Sequence, residues 1–208
     1  MTTSRLVIIR HGDVDARWKG ICYGQQDVEL CGQWIQGADT LIAQIAALKP
    51  DRIYHSGLQR TRWLAEQIAG QMQQVMPGSP SIAPVSDVRL RERNFGNWEG
   101  KSWDEAYQSD PEHFHDLIHK PDRYRPPFGE TTTEMQMRVV EWYQSLPKVS
   151  GELSLAIAHS GPIAALAGFL QGLPATNWEN WMLRTGEAIV IEHSHEDTTK
   201  VQVRRGLP

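Results

Sequence analysis

At 208 residues, with a formal net charge of −4 and 22% charged residues, the chain is long enough for one compact core and needs no disulfide or metal staple. That balance excludes a basic nucleic-acid binder and a disordered chain, so any positive site has to be local. Cys22 and Cys31 have no metal or redox spacing. With no signal segment or long apolar run, a reducing cytoplasm is the expected compartment, where their pairing is disfavoured.

Leu6-Val7-Ile8-Ile9 reads as a strand buried on both faces, and it ends abruptly in Arg10-His11-Gly12-Asp13. The chemistry then sits at the carboxyl end of a strand, where open α/β sheets hold their ligands. An imidazole beside an arginine, followed by a residue with no Cβ, suits a nucleophile next to an anion clamp. A loop follows over Asp15–Leu30, with Gly20 and Gly24 and the aromatics Trp18 and Tyr23. The spacing of Trp34, Ile35, Ala38, Leu41, Ile42, Ile45 and Leu48 predicts one amphipathic helix, ended by Pro50. Arg52–His55 is a second strand, and Ser56 is the expected cap of a helix carrying Leu58, Leu64, Ala65 and Ile68. Met76–Pro80 is a loop and Ile82–Val85 a third strand. Arg89–Gly100 has neither helical nor strand periodicity.

From Ser102 to about Pro127 the pattern is irregular, broken by Pro111, Pro121, Pro126 and Pro127. The stretch around 94–130 is therefore expected to be a lid-like insertion within a single domain spanning 1–208. Thr131–Leu146 predicts a helix, and Leu153–Ala158 a strand that again ends in histidine, at His159-Ser160-Gly161-Pro162. Ile163–Leu170 is apolar nearly all round and should be a buried helix, with Pro162 suited to its first turn. Ala188–Glu192 and Lys200–Arg204 close the chain as strands. This alternation predicts a three-layer α/β sandwich: a mostly parallel central sheet with helices on both faces.

Four separated stretches stand out together: Arg10-His11-Gly12, Leu58-Gln59-Arg60-Thr61, Leu90-Arg91-Glu92-Arg93 with Gly96 and Trp98-Glu99-Gly100, and His159-Ser160-Gly161-Pro162. In this order, from residue 6 to about 170, they resemble the histidine phosphatase superfamily, which includes the cofactor-dependent phosphoglycerate mutases and many small phosphatases. The resemblance implies the phosphoglycerate mutase-like fold, with His11 as a nucleophile that becomes phosphohistidine. It implies Arg10, Arg60 and His159 as the phosphate pocket, and Glu92 as the carboxyl that gives a proton to the leaving oxygen. The chemistry agrees. Transferring phosphoryl oxygens need positioning and charge, which two guanidiniums and a protonated His159 would supply. Glu92 has to carry a proton in the first step and lose it in the second. No metal or other cofactor is expected.

Within the superfamily, the loop Gly20–Leu30 with its Cys22-Tyr23-Gly24, and Phe128-Gly129-Glu130-Thr131 with Arg138, resemble alpha-ribazole phosphatases of cobalamin assembly. Tyr23 and Glu130 are then candidate substrate contacts, and Ser160 lies beside the second histidine. Asp13, Arg17, Gly57, Leu64 and Ala164 depart from the usual residues, and Arg17 is a candidate cation for a second anionic group. The leading expectation is a metal-independent phosphomonoesterase, favoured over a mutase by the chain's length. A mutase and a non-catalytic binder of phosphorylated ligands are the alternatives. The expected partners are a small phosphorylated metabolite and a second copy of the chain as a homodimer, with no nucleic acid and no membrane.

Other features have plainer readings. His115 and His119 flank Asp116 at one-face helical spacing but lack a third ligand nearby. His193 and His195 alternate on a terminal strand as surface residues. Ser160 is not in a Gly-x-Ser-x-Gly elbow. Trp18, Trp98, Trp178 and Trp181 lie in loops suited to walling a pocket.

Overall fold

The computed structural model describes residues 3–78, 80–194 and 201–208. Its sheet orders the strands β3-β2-β4-β1-β5-β6. These are β1 (Thr3–Arg10), β2 (Arg52–His55), β3 (Val85–Ser86), β4 (Leu153–Ala158), β5 (Ala188–Ser194) and β6 (Val201–Arg205). β1 to β4 are mutually parallel, and β5 runs antiparallel between β1 and β6. The helices are α1 (Gly32–Gly37), α2 (Asp39–Ala47), α3 (Gln59–Val75), α4 (Trp103–Ser109), α5 (Asp116–His119), α6 (Thr132–Ser145) and α7 (Ser160–Leu170).

The unbroken apolar run of β1 has a direct cause. Leu6 and Ile8 pack into a core with α6 and α7, whereas Val7 and Ile9 pack into the opposite core with α2 and α3. β4 divides the same way, Ala156 and Ala158 to one face and Leu153, Leu155 and Ile157 to the other. With both faces covered, neither strand needs polar alternation. α7 is apolar all round because it is wedged between the sheet, α6 and the 3-10 turn Ala175–Trp181. A Cβ on Gly168 would lie 2.1 Å from the Trp178 indole nitrogen, so glycine is what lets that turn close on the helix.

Several expectations need correction. The helix predicted over Trp34–Leu48 is two helices broken at Ala38, whose N–H bonds back to Ile35 O as Gly37 lets the last turn of α1 tighten. The third strand is only Val85–Ser86, because Pro84 has no N–H to offer a ladder. α7 begins at Ser160, a turn earlier than expected. Ser56 does not cap α3, whose N-cap Leu58 has no side-chain cap bond. Segment 94–130 has a small core of its own, in which Trp98 stacks on Phe114 at 5.3 Å and packs with Cys22, Ala106 and Leu117. Cys22 is buried there as a free thiol, and Cys31 is also free.

Gly12 has a role other than clearing space for a nucleophile. A Cβ there would fall 2.1 to 2.3 Å from three ring carbons of Trp34, which covers the turn after β1. We expect Gly12→Ala to cost about 1–3 kcal/mol by overpacking, read as a lowered urea midpoint at unchanged m-value. An unchanged midpoint would show that Trp34 moves aside freely.

Candidate active site

β1 and β4 are adjacent, parallel and in register, with Arg10 opposite Ala158. The next residue on each strand is a histidine, which is why two imidazoles 148 positions apart in the sequence (159 minus 11) meet. Their ring centroids lie 4.9 Å apart at 63°, and both side chains are buried.

His11 Nδ1 is 2.7 Å from Gly12 O. A carbonyl only accepts, so Nδ1 carries the hydrogen and Nε2 the lone pair. Burial above all, then the Arg60 charge, holds the His11 pKa well below the ordinary imidazole value, against a smaller opposing pull from Gly12 O. The His11 ring is therefore neutral and oriented at neutral pH.

His159 is fixed by a hydroxyl relay. Thr61 Oγ1 donates to Leu58 O at 2.8 Å, so it can only accept from Ser56 Oγ, also at 2.8 Å. Ser56 Oγ has then spent its hydrogen and accepts from His159 Nε2–H at 2.9 Å. The lone pair is left on Nδ1, buried and without a partner among the described residues. Burial, followed by the charge of Arg60, pushes the His159 pKa well down. This corrects the expectation of a protonated His159: by itself the pocket holds a neutral ring.

Arg60 is fully buried, donating from Nη1 to Gln26 O at 2.6 Å and from Nη2 to Gly24 O at 2.7 Å, and lying 5.2 Å over the Tyr23 ring. Arg10 Nη1 donates to Leu183 O at 2.6 Å. The Nε of each has no partner, and none of the ion pairs among the described residues includes either arginine. A buried guanidinium without a carboxylate is costly. The buried Arg60 and the half-buried Arg10, beside two neutral imidazoles, make a pocket electrostatically suited to an anion.

Glu92 sits on the first turn of α7. Arg93 N–H donates to Oε1 at 2.9 Å and Gly161 N–H to Oε2 at 3.4 Å, while a Cβ on Gly161 would lie 2.3 Å from Oε1. Glycine at 161 is what admits the carboxyl. The turn carrying Glu92 is tied by Arg138, which donates to Arg89 O, Arg91 O and Glu92 O at 2.6, 2.7 and 2.9 Å.

A cavity of about 620 Å³ opens beside these groups, lined by Arg10, Tyr23, Glu92, Ser160 and Gly161 among others. Ser160 Oγ donates to Leu183 O at 3.3 Å. The structure thus brings together Arg10, His11, Tyr23, Arg60, Glu92, His159 and Ser160. It does not bring Arg17 or Glu130. Arg17 is exposed and paired with Glu29 and Asp15. Glu130 lies one layer behind Glu92, where its carboxylate accepts from Arg138 and from Asn94 N–H. Trp178 lines the cavity, whereas Trp98 is a core residue of segment 94–130, and Trp18 and Trp181 are outside the lining. His115 and His119 are exposed, and among the described residues no three His, Cys, Asp or Glu side chains converge as a metal set. His193 stacks on Tyr143 at 5.2 Å, and His195 lies outside the described residues. Sequence reasoning missed the relay through Ser56 and Thr61, although Ser56 stands four residues before Arg60.

The two lowered histidines of the pocket have a thermodynamic consequence, to which His55, also lowered by burial, adds in the same direction. The unfolded chain takes up protons near the ordinary imidazole pKa while the folded rings stay neutral, so stability is full above that pH and falls as pH drops below it. The pair should cost about 2 kcal/mol between about pH 6.5 and about pH 5.5, and His11→Ala should remove about half of that decline. Urea unfolding across the window measures it. An equal slope in the variant would mean that His11 is protonated in the folded chain.

The fold and the site define an α/β protein with an anion pocket at the carboxyl ends of two adjacent parallel strands. The chain belongs to the histidine phosphatase superfamily (branch 1), whose family model matches residues 6–205. It is 29% identical over 199 residues to a 2,3-bisphosphoglycerate-dependent phosphoglycerate mutase of Rhizobium etli, covering 93% of this chain and 92% of that protein. Among solved structures it is similar to YhfR of Bacillus stearothermophilus, with a TM-score of 0.79 and 27% identity over 97% of this chain and 96% of that one. The alpha-ribazole phosphatase of Shigella flexneri shares the fold, with a TM-score of 0.74 and 22% identity over 97% and 95% of the two chains. Among the described residues, no helix is long and apolar enough to cross a membrane.

Proposed function

We propose that the protein is a metal-independent phosphomonoesterase that works through phospho-His11 on a small phosphorylated metabolite. The observation carrying this reading is the set of buried nitrogens without partners among the described residues, Arg10 Nε, Arg60 Nε and His159 Nδ1, on two arginines whose charges act on His11 and a ring 4.9 Å from it. Two cationic N–H donors suit two phosphoryl oxygens, and the His159 lone pair suits a third that still bears a proton. A substrate monoanion with neutral His159 is equivalent, by one proton shift, to a dianion with an imidazolium.

His11 Nε2 attacks phosphorus as the ester P–O bond breaks, and the Glu92 carboxyl protonates the departing oxygen. The Glu92 carboxylate then takes a proton from water, whose oxygen attacks phosphorus and releases His11 and inorganic phosphate. Alpha-ribazole 5'-phosphate, within cobalamin assembly, is the particular substrate we favour. The Gly20–Leu30 loop and the aromatic cavity walls support it. The mutase relatives favour a second reading, phosphoryl transfer between phosphoglycerates.

The test is a phosphate-ester panel run in chelator, including alpha-ribazole 5'-phosphate and 3-phosphoglycerate, with rapid quench and mass spectrometry of the His11 peptide. Phosphate release with phosphate on His11 is the expected result. Isomerised phosphoglycerate would favour the mutase, and no release above a His11→Ala control would favour a non-catalytic binder.

A further inference from the structure

The cavity beside the phosphate pocket has a chemistry of its own. Its walls include Tyr23, Phe95, Trp103 and Phe114 from one side and Trp178 and Met182 from the other. At about 620 Å³ it has the volume of a site for a drug-sized ligand, far more than a three-carbon acid fills. The cations among its lining residues are Arg10 and Arg93. Arg10 belongs to the phosphate pocket. Arg93 is already engaged, donating to Thr132 Oγ1 at 2.6 Å and to Glu130 O at 3.0 Å and lying 5.5 Å over the Phe95 ring. The other cations of segment 94–130 lie off the lining: Lys120 pairs with Asp116, Arg123 with Asp122 and Arg125 with Glu134, and Lys101 is exposed outside it. The remaining charge on the lining, apart from Glu92, is Glu179, an exposed carboxylate with no partner among the described residues.

We infer that the leaving group is a bulky, uncharged alcohol that carries a flat aromatic ring, and that Glu179 is a specificity-determining residue that rejects anionic leaving groups. A second carboxylate or phosphate placed in this chamber would lose water to aromatic walls, find no free cation and face the Glu179 charge. A neutral aromatic ring would instead stack on those walls. This rests on the phosphomonoesterase reading and extends it from the phosphate to the group the phosphate leaves.

The experiment uses the full chain with three matched esters: phenyl phosphate, 1-naphthyl phosphate and 4-carboxyphenyl phosphate. The naphthyl ester should exceed the phenyl ester in kcat/KM by about tenfold or more, and the added carboxylate should lower kcat/KM by about tenfold or more, chiefly through KM. Glu179→Lys should shrink that carboxylate penalty to about threefold or less, with Glu179→Gln between it and the parent. Because residue 179 is on the surface, these variants should fold. Phosphohistidine turnover with equal rates on all three esters, or a carboxylate penalty unmoved by Glu179→Lys, overturns the inference and leaves the phosphatase reading standing. No turnover of any ester and no phosphate on His11 overturns both.

Discussion

Replacing His11 with alanine is expected to lower kcat/KM for any ester the enzyme hydrolyses by about 10⁴-fold or more and to abolish the phosphoenzyme. The chain offers no ready substitute. Water entering the space left by the ring would lack the alignment that Gly12 O imposes on Nε2 through Nδ1–H. His159 is held by its Nε2–H on Ser56, its ring turned 63° from that of His11. Folding should survive, because the ring is buried neutral and accepts no bond the core depends on. Binding of inorganic phosphate should also survive, since Arg10 and Arg60 remain. Isothermal titration with phosphate and quenched-flow labelling separate the two effects. A labelled protein persisting in the variant would put the covalent bond on another residue.

The elements that sequence reading placed well are those whose residues are dictated locally. Val7 and Ile9 against Leu6 and Ile8 declare a strand with two buried faces, and the helix predicted over Thr131–Leu146 matches α6 to within a residue at each end, where the structure shows Thr131 and Glu134 forming a capping box. His11 and His159 were legible as strand-end residues, but their meeting depends on β1 and β4 being neighbours in register, which is a property of the sheet order.

What stayed hidden was decided by contacts across the fold. Glu130 and Arg17 look alike in a sequence, each a charged side chain near a motif. Only tertiary geometry turns Glu130 onto Arg138 behind the turn that carries Glu92 and Arg17 out towards Glu29. Ser56 carries a strong local signal as a helix cap, yet its hydroxyl meets the buried ring of His159, and the first N–H of α3 is satisfied from across the fold, where Gln59 N–H donates to Asp27 Oδ1 at 2.6 Å. Gly12 reads as clearance for chemistry, and the structure spends it on Trp34.

Glu92→Gln is the second large effect we expect, and its pattern is more informative than its size. Glutamine keeps the shape of the side chain but has no acidic proton to give and no basic oxygen to take one. Its amide nitrogen can accept from neither Arg93 N–H nor Gly161 N–H, so one of the two donors that hold the carboxylate loses its acceptor. Esters of poorly acidic alcohols should lose about 10²- to 10⁴-fold in turnover, because their oxygen must leave protonated. A 4-nitrophenyl ester, whose leaving group departs as an anion, should phosphorylate His11 at a rate much closer to the parent's. Its hydrolysis should then stall at the second step, where water has lost its base. The variant should therefore show a burst of nitrophenolate followed by slow turnover, with phosphohistidine accumulating. A Glu92→Gln enzyme whose pH-rate profile matches the parent in height and shape, with no burst, would remove Glu92 from proton transfer and leave it as a residue that only shapes the first turn of α7.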